Sequence, residues 1–317
     1  MESTPRPIEI FAPFGVAYEL TKKILFQPFD FGKWLVIGFA AWLATFFSGS
    51  RFKSRHLFNG GDWNMRAQHH GSWSLHDTAL WAIPFIIIAV LCALAVISLF
   101  LWLNARGRFV FTDCIVRNRA AIAEPWREYH AEGNSFFLFQ FCVLLASVAL
   151  FGVPAVLVFA SWSSGFAVVP LVGLAIGLGL IWALLIMAWA FFSRFMVAVM
   201  YRQRCSALAA FRIVWDLFLA HLGPFVLCGL FMLVLGLAAV VIGFIAGCVT
   251  CCIAALPYVG TVLLLPVVML LFVFPLCFLR QFGDAYDVWA VVPAIDPPPT
   301  EIPPVQEMPP PAPPPAL

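Results

Sequence analysis

Apolar and polar residues are sorted into long blocks along this chain. Asp, Glu, Lys and Arg are absent from Thr78 to Leu103, from Ser135 to Ser193 and from Leu217 to Leu279. Between the blocks the charges are crowded. Asn104 to Asn134 carries Arg106, Arg108, Arg117, Arg119 and Arg127 together with Asp113, Glu124, Glu128 and Glu132. A helix needs about 20 mostly apolar residues to cross the hydrocarbon core of a bilayer. The pattern therefore predicts six spans, near 32–49, 78–103, 135–160, 166–192, 222–247 and 258–279. Two of the blocks are too long for one crossing. The first is broken by Pro154, the polar run Ser161–Gly165 and Pro170, and the second by CVTCCIAALPYVG around Pro257. The expected fold class is all-α, an integral membrane helical bundle.

The polar segments have their own order. RGRFVFTDCIVRNRAAIAEPWRE from Arg106 resembles FSRFMVAVMYRQRCSALAAFRIVWD from Phe192. Each has Arg-Phe at the end of a span, then a basic pair one residue apart (Arg117/Arg119, Arg202/Arg204). Each closes on an aromatic-Arg pair, Trp126-Arg127 or Phe211-Arg212. A third Arg-x-Phe, RQF at Arg280, ends the sixth span. PFGVAYELTKKILFQPFDFGKW supplies the missing first helix, with Val16, Leu20 and Ile24 at helical spacing. In the later copy Ser206 is placed to cap a helix whose stripe is Leu208, Phe211, Trp215 and Phe218. Pro125 and Gly133 bound the equivalent helix of the middle copy. These are signatures of amphipathic helices at a membrane interface. The unit, repeated three times, is interfacial helix, span out, short turn, span back. On FDFGKWLVIGFAAWLA, the Arg-Phe span ends and IAEPWREYHAEGNSFFLF, the chain resembles uncharacterised six-span membrane protein families of bacteria and archaea. It is also similar in pattern to the membrane domain of some glycerophosphodiester phosphodiesterases. That resemblance covers roughly residues 10 to 285 and implies an architecture without a catalytic motif.

Composition agrees with a bilayer as the main solvent. The chain is 63% hydrophobic and 11% charged, against about 25% charged in soluble domains, and its mean hydropathy is +0.96. Residues 1–31 are expected to form the cytoplasmic N-terminus with its amphipathic helix, residues 32–290 the six-span membrane domain, and residues 291–317 a disordered Pro-rich cytoplasmic tail, since such sequence favours extended polyproline II and cannot build a core. The start of the chain lacks the basic and apolar regions of a cleavable secretory signal. Fourteen of the 18 Lys and Arg fall on the side of the N-terminus; only Arg51, Lys53, Arg55 and Arg66 fall on the other. By the positive-inside rule both termini are cytoplasmic, in a multi-pass protein of the cell inner (plasma) membrane.

Candidate chemistry is sparse. Nine scattered cysteines argue against a disulfide framework. CVTCC at Cys248, Cys251 and Cys252 reads as packing thiols. His56, His69, His70, His76, Asp62 and Asp77 share an outer loop but fit no compact metal-ligand spacing. His221 reads as an interface residue. Glu124, Glu128 and Glu132, four apart, share a helix face, and Arg127 explains them as a solvated surface. No nucleophile, phosphate-loop or zinc-protease motif is present. The expectation is a protein without enzymatic activity, cofactor, metal or nucleic-acid partner. Membrane lipids are its expected partners, with the Pro-rich tail a docking segment for a protein or a spacer. Arg106, Arg108, Arg117, Arg119, Arg194, Arg202 and Arg204 are candidate contacts for anionic lipid. Gly173 and Gly177, and Gly229, Gly236, Gly243 and Gly247, are candidate helix-packing positions, expected to act within one subunit. The expected role is organising lipid or partner proteins; the alternative is a permease or channel for a neutral or lipid-like substrate.

Overall fold

In a computed structural model the described residues are 9–27, 29–45, 75–152, 154, 168–250 and 256–291. They form helices α1 (Phe11–Phe26), α2 (Phe31–Thr45), α3 (Leu75–Val116), α4 (Ala123–Glu128), α5 (His130–Ser147), α6 (Val168–Gln203), α7 (Ala207–Ala220), α8 (Leu222–Val249), α9 (Pro257–Leu263) and α10 (Leu265–Leu279), with no strand among them. Five helical stretches are long and apolar enough to cross a membrane, within α3, α5, α6, α8 and α10; α2 is a shorter apolar helix. This is the architecture expected of a membrane protein. The outer loop with its histidines and the Pro-rich tail lie outside the described residues, as do Cys251 and Cys252; of His76 and Asp77 only the helical backbone is described.

Span boundaries follow hydropathy, but helix boundaries do not. The second span was expected to stop near Leu103, yet α3 continues to Val116 through the Arg106–Asp113 stretch. Its 42 residues extend about 63 Å at 1.5 Å per residue, about twice the hydrocarbon thickness. The helix is therefore longer than one crossing requires, and its charged last third carries the buried Phe109, Phe111 and Ile115. α5 likewise begins at His130, before the expected third span, and passes into a π-helical turn at Val148–Gly152. The expected sixth span is two helices, because Pro266 lacks an N–H for the Val262 carbonyl, which accepts from Trp34 Nε1 instead (3.0 Å).

Burial is concentrated at one end. The α10 span is 56% buried within the protein, whereas the equivalent window of α6 has no buried residue. Phe109, Phe111, Phe136, Phe195, Phe225, Phe274 and Phe278 are all buried, and most meet in edge-to-face pairs such as Phe111–Phe272 and Phe195–Phe225. Such ring geometry contributes beyond the area it hides. The outer halves of α6 and α8 present Leu, Ile and Val outward, as helices facing lipid do.

The amphipathic helices pack more than was expected. α1 lies along α10, where Glu9 and Gln281 exchange two hydrogen bonds (2.9 and 2.8 Å) and Phe14 meets Phe274. Its inward stripe is Pro13, Ala17, Thr21, Ile24 and Leu25. Val16, expected on that stripe, is exposed. Small Ala17 and Thr21 allow the close approach that Val16 would not. α7 is capped by Ser206, whose Oγ accepts from Ala209 N, as expected. It buries Ala207, Ala210 and Val214, while Phe211, Trp215 and Phe218 surround Phe192.

Three glycines set the helix crossings. A Cβ on Gly107 would lie 2.6 Å from Leu43 Cβ, one on Gly38 2.8 Å from Val262 Cγ2, and one on Gly133 3.0 Å from Arg106 Cγ. Gly133 is thus a contact inside α5, where a helix end was expected. At the first crossing Asn104 Nδ2 donates to the carbonyls of Leu43 and Ala44 (3.2 and 2.8 Å), satisfying acceptors near the end of α2 that lack helical donors.

Candidate functional site

The Arg-Phe repeat persists in three dimensions. Phe109 and Phe195 are both buried. Ten residues after Arg108 the chain turns through Asn118 (φ 49°), and ten after Arg194 through Arg204 (φ 52°). Left-handed residues of this kind end helices, so α3 and α6 stop in register with their repeat. The third unit ends sooner, at Gly283 (φ 121°).

Asp113 is the hub between the first two units. It is fully buried, and a buried carboxylate is costly unless paired. Tyr201 of α6 donates its hydroxyl to Oδ1 (3.0 Å), Arg117 Nε lies 3.1 Å from the same oxygen, and Arg119 reaches Oδ2 at 3.0 Å. The network continues outward. Arg117 also pairs with Glu128 (3.0 Å) and Arg119 with Glu124 (2.6 Å). Arg204 joins Glu128 and Glu132 and lies over the Tyr129 ring at 3.9 Å. Tyr129 in turn stacks on Tyr201 and Phe109. Burial opposes the charge of Arg117, but Asp113, Tyr201 and Glu128 outweigh it and raise its pKa. The same contest, decided by Tyr129, Glu132 and Glu128, raises that of Arg204. Burial also lifts the Tyr129 hydroxyl above its ordinary range, so the ring stays neutral beneath Arg204.

The seven arginines named from the sequence therefore divide. Arg117, Arg119 and Arg204 are neutralised by carboxylates. Arg106 is bound by Asn134 Oδ1 (3.0 Å) and lies over Trp102 and Trp126. Arg202 donates to the Asp284 carbonyl (3.3 Å). Arg108 and Arg194 are different. Neither has a carboxylate within ion-pair distance among the described residues. Arg108 gives one bond to Ser193 Oγ (2.9 Å), and its Nε has no partner. Arg194 donates to the Leu271 carbonyl (3.3 Å), which Pro275, lacking an N–H, leaves free within α10.

The chain belongs to DUF7544, a family of unknown function. The family model matches residues 10–295, which is the whole described bundle. No curated protein and no solved structure matches. The similarity to the membrane domain of glycerophosphodiester phosphodiesterases thus rests on sequence pattern alone.

The glycines named from the sequence are spread apart. A Cβ on Gly229 would lie 3.5 Å from the Phe191 ring, and one on Gly243 3.5 Å from Leu264 Cδ1. A Cβ on Gly173, Gly177, Gly236 or Gly247 would meet nothing within 4 Å among the described residues. Packing within the subunit falls instead on Gly38, Gly107 and Gly133, which lie in shorter or charged stretches where no glycine repeat marks them. The acidic trio Glu124, Glu128 and Glu132 is engaged by Arg117, Arg119 and Arg204. His221 packs edge-on against Phe282. Asp113 is not among the candidate residues of the sequence analysis, where it is one charge of the Asn104–Asn134 segment. The signal was present: Asp113 is flanked by Thr112 and Cys114 in an otherwise apolar run from Phe109 to Val116.

Proposed function

We propose that this is a non-enzymatic integral membrane protein that organises lipid, through the basic end of its bundle, as a scaffold for anionic membrane. The supporting observation is an uneven distribution of charge compensation. Internal carboxylates neutralise the network that clamps α3, α4, α5 and α6. Lys22, Lys23, Arg127 and Arg212 remain exposed, without an ion pair among the described residues. Exposed Leu208, Trp215 and Leu219 lie on the same short helix as Arg212. Cations beside an apolar and aromatic edge are what an acidic lipid interface attracts. The proposed setting is the cell inner membrane with both termini cytoplasmic, and the tail is proposed as the contact for a protein partner. The solid aromatic core at the basic end supports a scaffold over a conduit.

The test is lipid analysis of the protein extracted directly from its membrane in polymer discs. Acidic phospholipid should be enriched over the bulk membrane. A bulk composition around the protein would overturn the reading. Substrate flux into proteoliposomes above an empty-vesicle control would favour the permease instead.

A further inference from the structure

Arg108 and Arg194 occupy equivalent places in two repeats, and each ends an apolar span. Arg108 is 8% exposed and lies over the Phe136 ring at 5.7 Å, while Arg194 lies over the Phe272 ring at 5.9 Å. Ser193, the residue before Arg194, is the acceptor for Arg108. The third repeat is an internal comparison. There Arg280 has its carboxylate, Asp287, at 2.9 Å. The first two repeats have no such carboxylate among the described residues, and the Arg108–Ser193 bond brings the Arg108 guanidinium to the residue beside Arg194. Guanidinium keeps its proton in proteins, so neither can shed its charge. A buried charge without a counterion is strongly unfavourable. Repulsion between two such groups adds to that cost.

We infer that Arg108 and Arg194 together bind a phosphate-class oxyanion, of the kind an acidic phospholipid headgroup carries. The Nε of Arg108 is buried and unpartnered, leaving a donor for it. Arg194 is partly exposed, so the pair can be reached from outside. Two planar forks suit the oxygens of a phosphate. The depth is also right for a headgroup. Apolar sequence ends at Leu103 before Arg108 and at Phe192 before Arg194. Arg108 is therefore about 7 Å past the apolar stretch along its helix. The inference deepens the lipid-scaffold reading by assigning one site to it.

The test uses the full chain in detergent, comparing wild type, R108Q/R194Q and, at the exposed Glu19, the surface control E19Q. Thermal unfolding is followed with phosphatidylglycerol, phosphatidylcholine or inorganic phosphate added, and native mass spectrometry counts bound lipid. Phosphatidylglycerol should raise the unfolding temperature of wild type and E19Q beyond phosphatidylcholine. R108Q/R194Q should lose that increment and at least tenfold of the retained lipid. Without lipid it should unfold no earlier than wild type, having lost two like charges that lack a counterion. If R108Q/R194Q does not fold, R194K, which keeps the charge but not the fork, should show a reduced increment. Stabilisation by inorganic phosphate but not by phosphatidylglycerol, lost in R108Q/R194Q, would support the anion site and make a soluble phosphate its occupant. An equal increment in wild type and variants, or none, overturns the site. Enrichment of acidic lipid in polymer discs that survives R108Q/R194Q would overturn the site and leave the scaffold reading intact.

Discussion

The hydroxyl of Tyr201 donates to Oδ1 of Asp113 across 3.0 Å, joining residues 88 positions apart. It is the point at which the first repeat grips the second. Asp113 has no exposed surface, while Arg117 and Arg119 keep 27% and 28% of their side chains exposed. Removing the hub leaves two guanidinium groups that water can still reach. D113N should therefore cost about 3 kcal/mol, the low end for a broken buried pair. Y201F should cost less, about 1.5 kcal/mol, since the carboxylate keeps both arginines. Apparent unfolding temperatures should fall in that order. An unchanged temperature for D113N would remove the hub from the account of stability.

The crossing of α2 and α3 predicts opposite outcomes for two glycines. G107A places its methyl against Leu43 Cβ and the Leu43 carbonyl carbon, at 2.6 and 2.8 Å. Overpacking costs about 1–3 kcal/mol, more than the roughly 0.8–1 kcal/mol that alanine contributes as a helix former. G107A should lower thermal stability. G236A meets no described neighbour and should be neutral or slightly stabilising. A marked loss for G236A would show that another subunit occupies that face.

Asn118 holds the left-handed turn after α3, and its Oδ1 accepts from Lys33 Nζ at 2.7 Å. Asparagine tolerates this conformation and glycine prefers it. N118A should lose about 1 kcal/mol, while N118G should stay close to wild type because relief of backbone strain offsets the lost hydrogen bond. Equal losses for both variants would place the effect in the Lys33 contact alone.

Orientation has a separate test. Arg127 is exposed on α4, at the basic end. In a background without native cysteines, R127C should react with a membrane-impermeant maleimide in inverted vesicles and not in intact cells. Labelling in intact cells would reverse the proposed topology.

Sequence alone determined the helical class, the apolar spans, the cap at Ser206 and the Arg-Phe repeat. A bilayer selects on local composition, and a cap or a repeat is written in neighbouring residues, so these features need no knowledge of distant contacts. Tertiary structure decided which charges are free. Arg119 and Arg194 look alike in a list of basic residues, yet one meets Asp113 and the other the Leu271 carbonyl. It also decided that Gly107 packs a crossing while Gly236 faces outward. Those outcomes depend on which helix faces meet across 60 to 90 residues of chain, and hydropathy carries no information about rotation around a helix axis.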